Sequence, residues 1–134
     1  MSVATLTHTC PCCGRKTNIY QRQLSEAHVY FLVEICEQFF NRKESIHYNE
    51  IQQRVKDNWG KNCTDYSILK NWFLLKPDED KNGFFKPTKA AFHFLASRTD
   101  IPRYHYINDE FSQECIMVHQ ILDNPPKPNW IKVL

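Results

Sequence analysis

The stretch from Leu24 to Phe40 constrains this chain more than any other. Leu24, Ala27, Phe31, Leu32, Ile35, Cys36, Phe39 and Phe40 recur at intervals of three and four, the signature of a helix with one apolar face. Ser25 and Glu26 begin the run as a capping residue and a first-turn acid should. Val29 and Val33 fall off the stripe and widen the apolar arc, so the helix is expected to run through the centre of a fold rather than along its surface. A chain of 134 residues holds one core of ordinary size around such a helix.

The elements that follow are shorter. Ser45 to Tyr48 reads as a short strand, and Asn49 with Gln52 forms a capping-box pattern ahead of a second helix over Glu50 to Asp57, with Ile51 and Val55 spaced by four. The segment Asn58 to Cys63 contains Gly60 and reads as a turn. Thr64 or Asp65 then caps a third helix whose Tyr66, Leu69, Trp72 and Phe73 are expected to share a buried face. Leu74 to Pro77 and Phe84 to Pro87 flank an Asn82-Gly83 turn in the pattern of a β-hairpin, and Thr88 caps a fourth helix to about Ser97. Beyond Pro102, Arg103 to Ile107 alternates like a strand, Asn108-Asp109 turns, and Gln113 to Val118 offers a second extended run, which predicts a small C-terminal β-hairpin packed on the helical body, with a helix over Glu114 to Leu122 as the alternative. The cluster Asn124 to Pro128 interrupts regular structure and leaves Trp130 to Leu134 as an apolar terminus that docks on the body or on a partner.

This order predicts an α+β, mainly α fold. It consists of a winged helix-turn-helix body over residues 24–100, a cysteine-knuckle head over 1–23, and a β extension with a Pro-rich tail over 101–134, packed as one compact unit. Seventeen Lys+Arg against fifteen Asp+Glu exclude both a strongly acidic nucleic-acid mimic and attachment to an anionic surface by net charge alone. The longest strongly apolar run, Val29 to Val33, is far short of the roughly 20 residues that cross a bilayer, and the start of the chain lacks the apolar stretch of a secretory signal. A cytoplasmic protein with reduced cysteines is therefore expected.

The stretch Thr64 to Pro77, then Gly83-Phe-Phe-Lys-Pro-Thr88 with Phe94-Leu95, then Ile101 to Asn108, resembles a group of small phage and bacterial winged-helix proteins of unassigned function. Those proteins also tend to begin with a Cys-x-x-Cys-Gly knuckle, matched by Cys10 to Gly14. The resemblance implies the fold and a mobile-element setting, and carries no activity with it. The group commonly has glycine where this chain has Phe73.

Cys10-Pro-Cys-Cys13-Gly14-Arg15 has the spacing with which two thiolates at a tight turn bind tetrahedral zinc. Zinc takes four ligands, and no second CxxC exists in the sequence. The remaining ligands would come from Cys12 and His8, from a distant His28 or Cys63, or from the knuckle of a second copy around a two-fold axis, which would make the protein a homodimer. Reduced thiols without metal are the competing reading. His28 and His93, placed on helices, read first as packing residues.

A DNA-binding helix-turn-helix places its third helix in the major groove, where Lys, Arg, Asn or Gln meet base edges while surrounding cations hold phosphate. Here the outer face offers Ser67, Lys70 and Asn71, with Lys61, Lys76, Lys86 and Lys89 placed for phosphate and Arg15 and Lys16 on the basic head. Against this stands the hairpin tip, where Asp78, Glu79 and Asp80 outnumber Lys81. No HExxH pattern, no nucleophile with an evident base and no Gly-rich phosphate loop is present, so neither an enzyme nor a small-molecule substrate is expected. Two functions stand: a DNA-binding regulator, and a factor that occupies a host protein, such as an anti-CRISPR or other counter-defence inhibitor.

Overall fold

The computed structural model describes the backbone of residues 2–9, 16–106, 110–126 and 130, and side chains within that set from Arg22 onward. The central element is helix α1, Glu26–Arg42. Val29, Phe31, Leu32, Ile35 and Cys36 on it are wholly buried, which accounts for the wide apolar arc. Each such aromatic or branched side chain contributes roughly 1.5–3 kcal/mol relative to an exposed position. The helix packs against α2 (Tyr48–Trp59), strand β5 (Phe84–Pro87) and helix α3 (Lys89–Leu95). It ends where Lys43 takes a left-handed conformation and donates its amide to the Phe39 carbonyl.

Three small antiparallel sheets surround this helical centre, giving an α+β fold. In the sheet beside α1, β3 (Ile46–His47) and β4 (Leu75–Pro77) lie on either side of β5. The loop between β4 and β5 closes through a Phe84 amide donating to the Lys81 carbonyl, with Gly83 at φ +83°. That left-handed angle at the third turn position is one glycine adopts without strain. A 3₁₀ helix, Tyr66–Trp72, links α2 to β4.

Several local expectations need correction. The second helix begins at Tyr48 rather than Glu50, because the ring of His47 accepts the Asn49 amide at 3.1 Å and so caps the helix two residues early. Gln52 closes no capping box; its amide donates to the Cys63 carbonyl at 2.8 Å. The third helix is 3₁₀ rather than α. With three residues per turn, Tyr66, Leu69 and Trp72 line up on one side. Phe73 falls beyond the end, in a left-handed conformation (φ 59°), and is 71% exposed instead of buried. Thr88 stands at the start of α3, yet its hydroxyl donates to the Phe73 carbonyl and accepts no helix amide.

Residues 1–23 were expected only as a cysteine-bearing head. They contribute two strands, β1 (Ser2–Thr9) and β2 (Lys16–Gln23), in antiparallel register from Ser2↔Gln23 to Thr9↔Lys16. The two runs after Pro102 do face each other, but with a division of labour. Strands β6 (Ile101–Pro102) and β8 (Cys115–Ile116) pair with each other, while β7 (His105–Tyr106) joins β2 and extends the N-terminal sheet. Of the expected apolar terminus, Trp130 is the described residue, and it docks on the body, buried and edge-on to Phe92 of α3 at 4.9 Å.

Candidate functional site

The cations proposed to meet a polyanion are solvent-facing. Lys61, Lys70, Lys76, Lys86 and Lys89 are exposed, and none forms an ion pair with a described residue. Ser67 is exposed as well, and Asn71 is half-buried. The geometry of the β4–β5 hairpin brings Lys76 and Lys86 together as directly opposed register partners, so both side chains leave the same face. Like charges in that arrangement repel, and an external anion removes the penalty. The same depression is lined by Asp78, Glu79 and Asp80.

Asp78 is fixed in place. Its carboxylate accepts the Ser45 hydroxyl at 2.6 Å and the Asp80 amide at 2.9 Å, which holds its carboxyl below the usual carboxylate range. The Asp78 carboxylate of the acidic lip is thus pinned to the corner where α1 meets β3.

Of the residues read as metal ligands, Cys10, Cys12 and Cys13 lie outside the described residues, as does Arg15 of the basic head. His8 and Lys16 are described only as backbone, paired with Thr17 and Thr9 across β1 and β2. His28 and Cys63, by contrast, come together, and with them Asp65. One donor atom from each of the three lies within 4.8 Å of the other two.

This cluster is built from the first turn of α1 and the entry to the 3₁₀ helix. His28 is wholly buried, and both ring nitrogens have partners: Nδ1 accepts the Ser25 backbone amide at 2.9 Å, and Nε2 lies 2.9 Å from the Asp65 carboxylate. An amide is only a donor, so Nδ1 is unprotonated and Nε2 carries the hydrogen that Asp65 accepts. Burial pushes the His28 pKa down, with the Asp65 charge opposing it. Burial pushes the Cys63 thiol up to about 12, helped by the Asp65 charge. A thiol so placed is not a nucleophile. Nor does the ring relay a proton from it to Asp65, because Asp65 occupies Nε2 and Ser25 occupies Nδ1. Asp65 went unnoticed as a partner for His28 because the two are far apart in sequence.

A second buried polar group ties α2 to α1. Glu34, inside the central helix, accepts the Trp59 indole N–H at 2.9 Å and the Asn58 amide at 3.3 Å. Trp59 also stacks on Tyr30 with ring centres 4.6 Å apart. No helix in the described residues is long and apolar enough to cross a membrane. Comparison with protein-family profiles, curated proteins and solved structures gives no match.

Proposed function

We propose that the chain is a small non-enzymatic winged-helix protein of a phage or mobile element that binds duplex DNA as a regulator. The element order from α1 through β3, α2, the 3₁₀ helix and the β4–β5 hairpin supports this reading, as does the placement of β5 between β3 and β4. The observation that carries it is the opposed, exposed pair Lys76 and Lys86 on the hairpin, with exposed Lys70 on the preceding helix. In this reading Lys70 and Asn71 meet base edges, and Lys61, Lys76, Lys86 and Lys89 meet phosphate. Zinc on Cys10 and Cys13, shared by two copies of the chain, belongs to the same proposal.

The test is a set of single variants on selected and random duplexes. Lys70→Ala and Asn71→Ala should relax sequence preference, each good base contact being worth about 1–3 kcal/mol of discrimination. Lys86→Ala and Lys89→Ala should weaken all sequences alike. Uniform losses for all four would remove base reading from the 3₁₀ helix.

One observation favours the alternative of a factor that occupies a host protein. The Asp78–Asp80 lip beside Lys76 and Lys86 repels phosphate and suits a partner with mixed charge. Phe73, exposed in a conformation that costs an ordinary residue energy, gives such a partner an aromatic contact.

A further inference from the structure

We propose that His28, Cys63 and Asp65 form a three-ligand site for a divalent transition-metal ion of the zinc type, separate from the Cys10–Cys13 knuckle. Two segments remote in sequence, the first turn of α1 with His28 and the entry to the 3₁₀ helix with Cys63 and Asp65, deliver a nitrogen, a sulfur and an oxygen donor to within 4.8 Å of one another. The donor set selects the metal class. Calcium and magnesium take oxygen ligands, whereas imidazole and thiolate suit zinc and cobalt. Three protein ligands leave the fourth tetrahedral position to water or to an outside group.

The metal-free cluster is a hydrogen-bonded form of the same site. Without metal, the Nε2 hydrogen of His28 bridges to Asp65. An ion bound at Nε2 displaces that hydrogen, and the ring takes the other tautomer, with the hydrogen on Nδ1. The Ser25 hydroxyl, 3.0 Å from Nδ1, is in place to accept it and becomes the outer partner that orients a metal-bound imidazole. The Ser25 amide then loses its acceptor, which lowers affinity by roughly five- to a hundredfold, the cost of one unmade hydrogen bond. The Cys63 thiol loses its proton to solvent as the metal–sulfur bond forms, so each ion taken up releases one proton.

Access and consequence also fit. Asp65 is partly exposed, and Cys63 lines an open cleft with Gln52, Lys56 and Asn62. A bound ion would clamp the connection between α2 and the 3₁₀ helix onto the first turn of α1. The inference does not depend on what the exposed face of the 3₁₀ helix binds.

The experiment uses the full chain with Cys10, Cys12 and Cys13 changed to Ser, which silences the knuckle, and titrates it with Co²⁺. The expected result is a thiolate-to-cobalt charge-transfer band saturating at one ion per chain. Cys63→Ser abolishes the band, His28→Gln or Asp65→Asn weakens or removes it, and Ser25→Ala weakens binding by roughly tenfold. Circular dichroism confirms the fold of each variant. Cys115, an exposed thiol, is retained throughout, so a band that survives Cys63→Ser overturns the site. Absence of the band in the folded parent overturns it equally. Should the parent fail to fold, bound metal is counted in the unaltered chain against Cys63→Ser: a fall of one ion per chain supports the site, and an equal count refutes it.

Discussion

Replacing Gly83 by Ala probes how the β4–β5 hairpin is seated against α2. The substitution has two separable costs. At φ +83° an L side chain is strained by about 1–2 kcal/mol, offset by about 0.4–1 kcal/mol through the stiffer unfolded chain. The second cost is steric, since the added Cβ would stand 2.8 Å from His47 Nε2 and 3.3 Å from Tyr48 Cε1.

His47 has little room to yield. Its Nδ1 holds the Asn49 amide, and its ring stacks on Tyr48 and meets Phe84 edge-on. Tyr48 stacks in turn on Tyr66, and Tyr66 on Phe31 of the core. Displacing the ring forfeits the cap of α2, about 1 kcal/mol. Gly83→Ala should therefore cost about 1–3 kcal/mol in urea denaturation at unchanged m-value.

Gly60→Ala is the built-in control, because Gly60 is also left-handed (φ +66°) but has nothing within 4 Å of an added Cβ. The excess of Gly83→Ala over Gly60→Ala, about 1 kcal/mol, isolates the contact with His47. In a His47→Ala background that excess should vanish. Equal costs for the two glycine variants, or an excess that persists without His47, would refute the reasoning.

Two further outcomes follow from buried and fixed polar groups. Trp59→Phe keeps the stack on Tyr30 but removes the indole donor from Glu34, and should destabilise by about 1.5–3 kcal/mol, the range for a hydrogen bond to a charged group. Urea denaturation checks it, and a change below about 0.5 kcal/mol would show that Asn58 alone satisfies the carboxyl. Ser45→Ala removes the main hydrogen bond that depresses Asp78, so the Asp78 titration followed by carbon NMR should rise towards 3.8. Because the folded value lies below the unfolded one, the stability this carboxylate adds is present above pH 3.8 and lost as pH falls through the depressed value. An unmoved titration would assign the shift to the Asp80 amide instead.

Much of the body was legible because its determinants are local. The spacing of Phe31, Leu32, Ile35 and Cys36 fixes α1 without reference to any partner, and Asn82-Gly83 between two short apolar runs fixes the hairpin. Boundaries were less accessible where a tertiary contact takes over a cap. His47 caps α2 with its ring, and Asp65 turns from the 3₁₀ helix to His28.

Phe73 reads as apolar and hence buried by composition. The left-handed backbone that places it outside has no signal in the residue itself. Strands β1 and β2 were missed, although Val3, Thr5, Thr7 and Thr9 alternate with other residues in strand fashion and Ile19 and Tyr20 favour strands. The cysteines between them have the spacing of a knuckle, which competes with that pattern. At the cluster, His28 and Cys63 are visible as candidate ligands and Asp65 stands two residues from Cys63, but the meeting of His28 with that pair depends on the packing of α1 against the entry to the 3₁₀ helix and has no local signal.

The central claim is that the exposed hairpin lysines meet a DNA backbone while Lys70 on the 3₁₀ helix meets base edges. Titration of random-sequence duplex at two salt concentrations tests it most directly. The account predicts binding that falls steeply as salt rises, with the slope of log affinity against log salt reduced by about 1 in Lys86→Ala, one phosphate contact. No binding at low salt would contradict the account and leave Phe73 and the Lys76–Lys86 face to a protein partner.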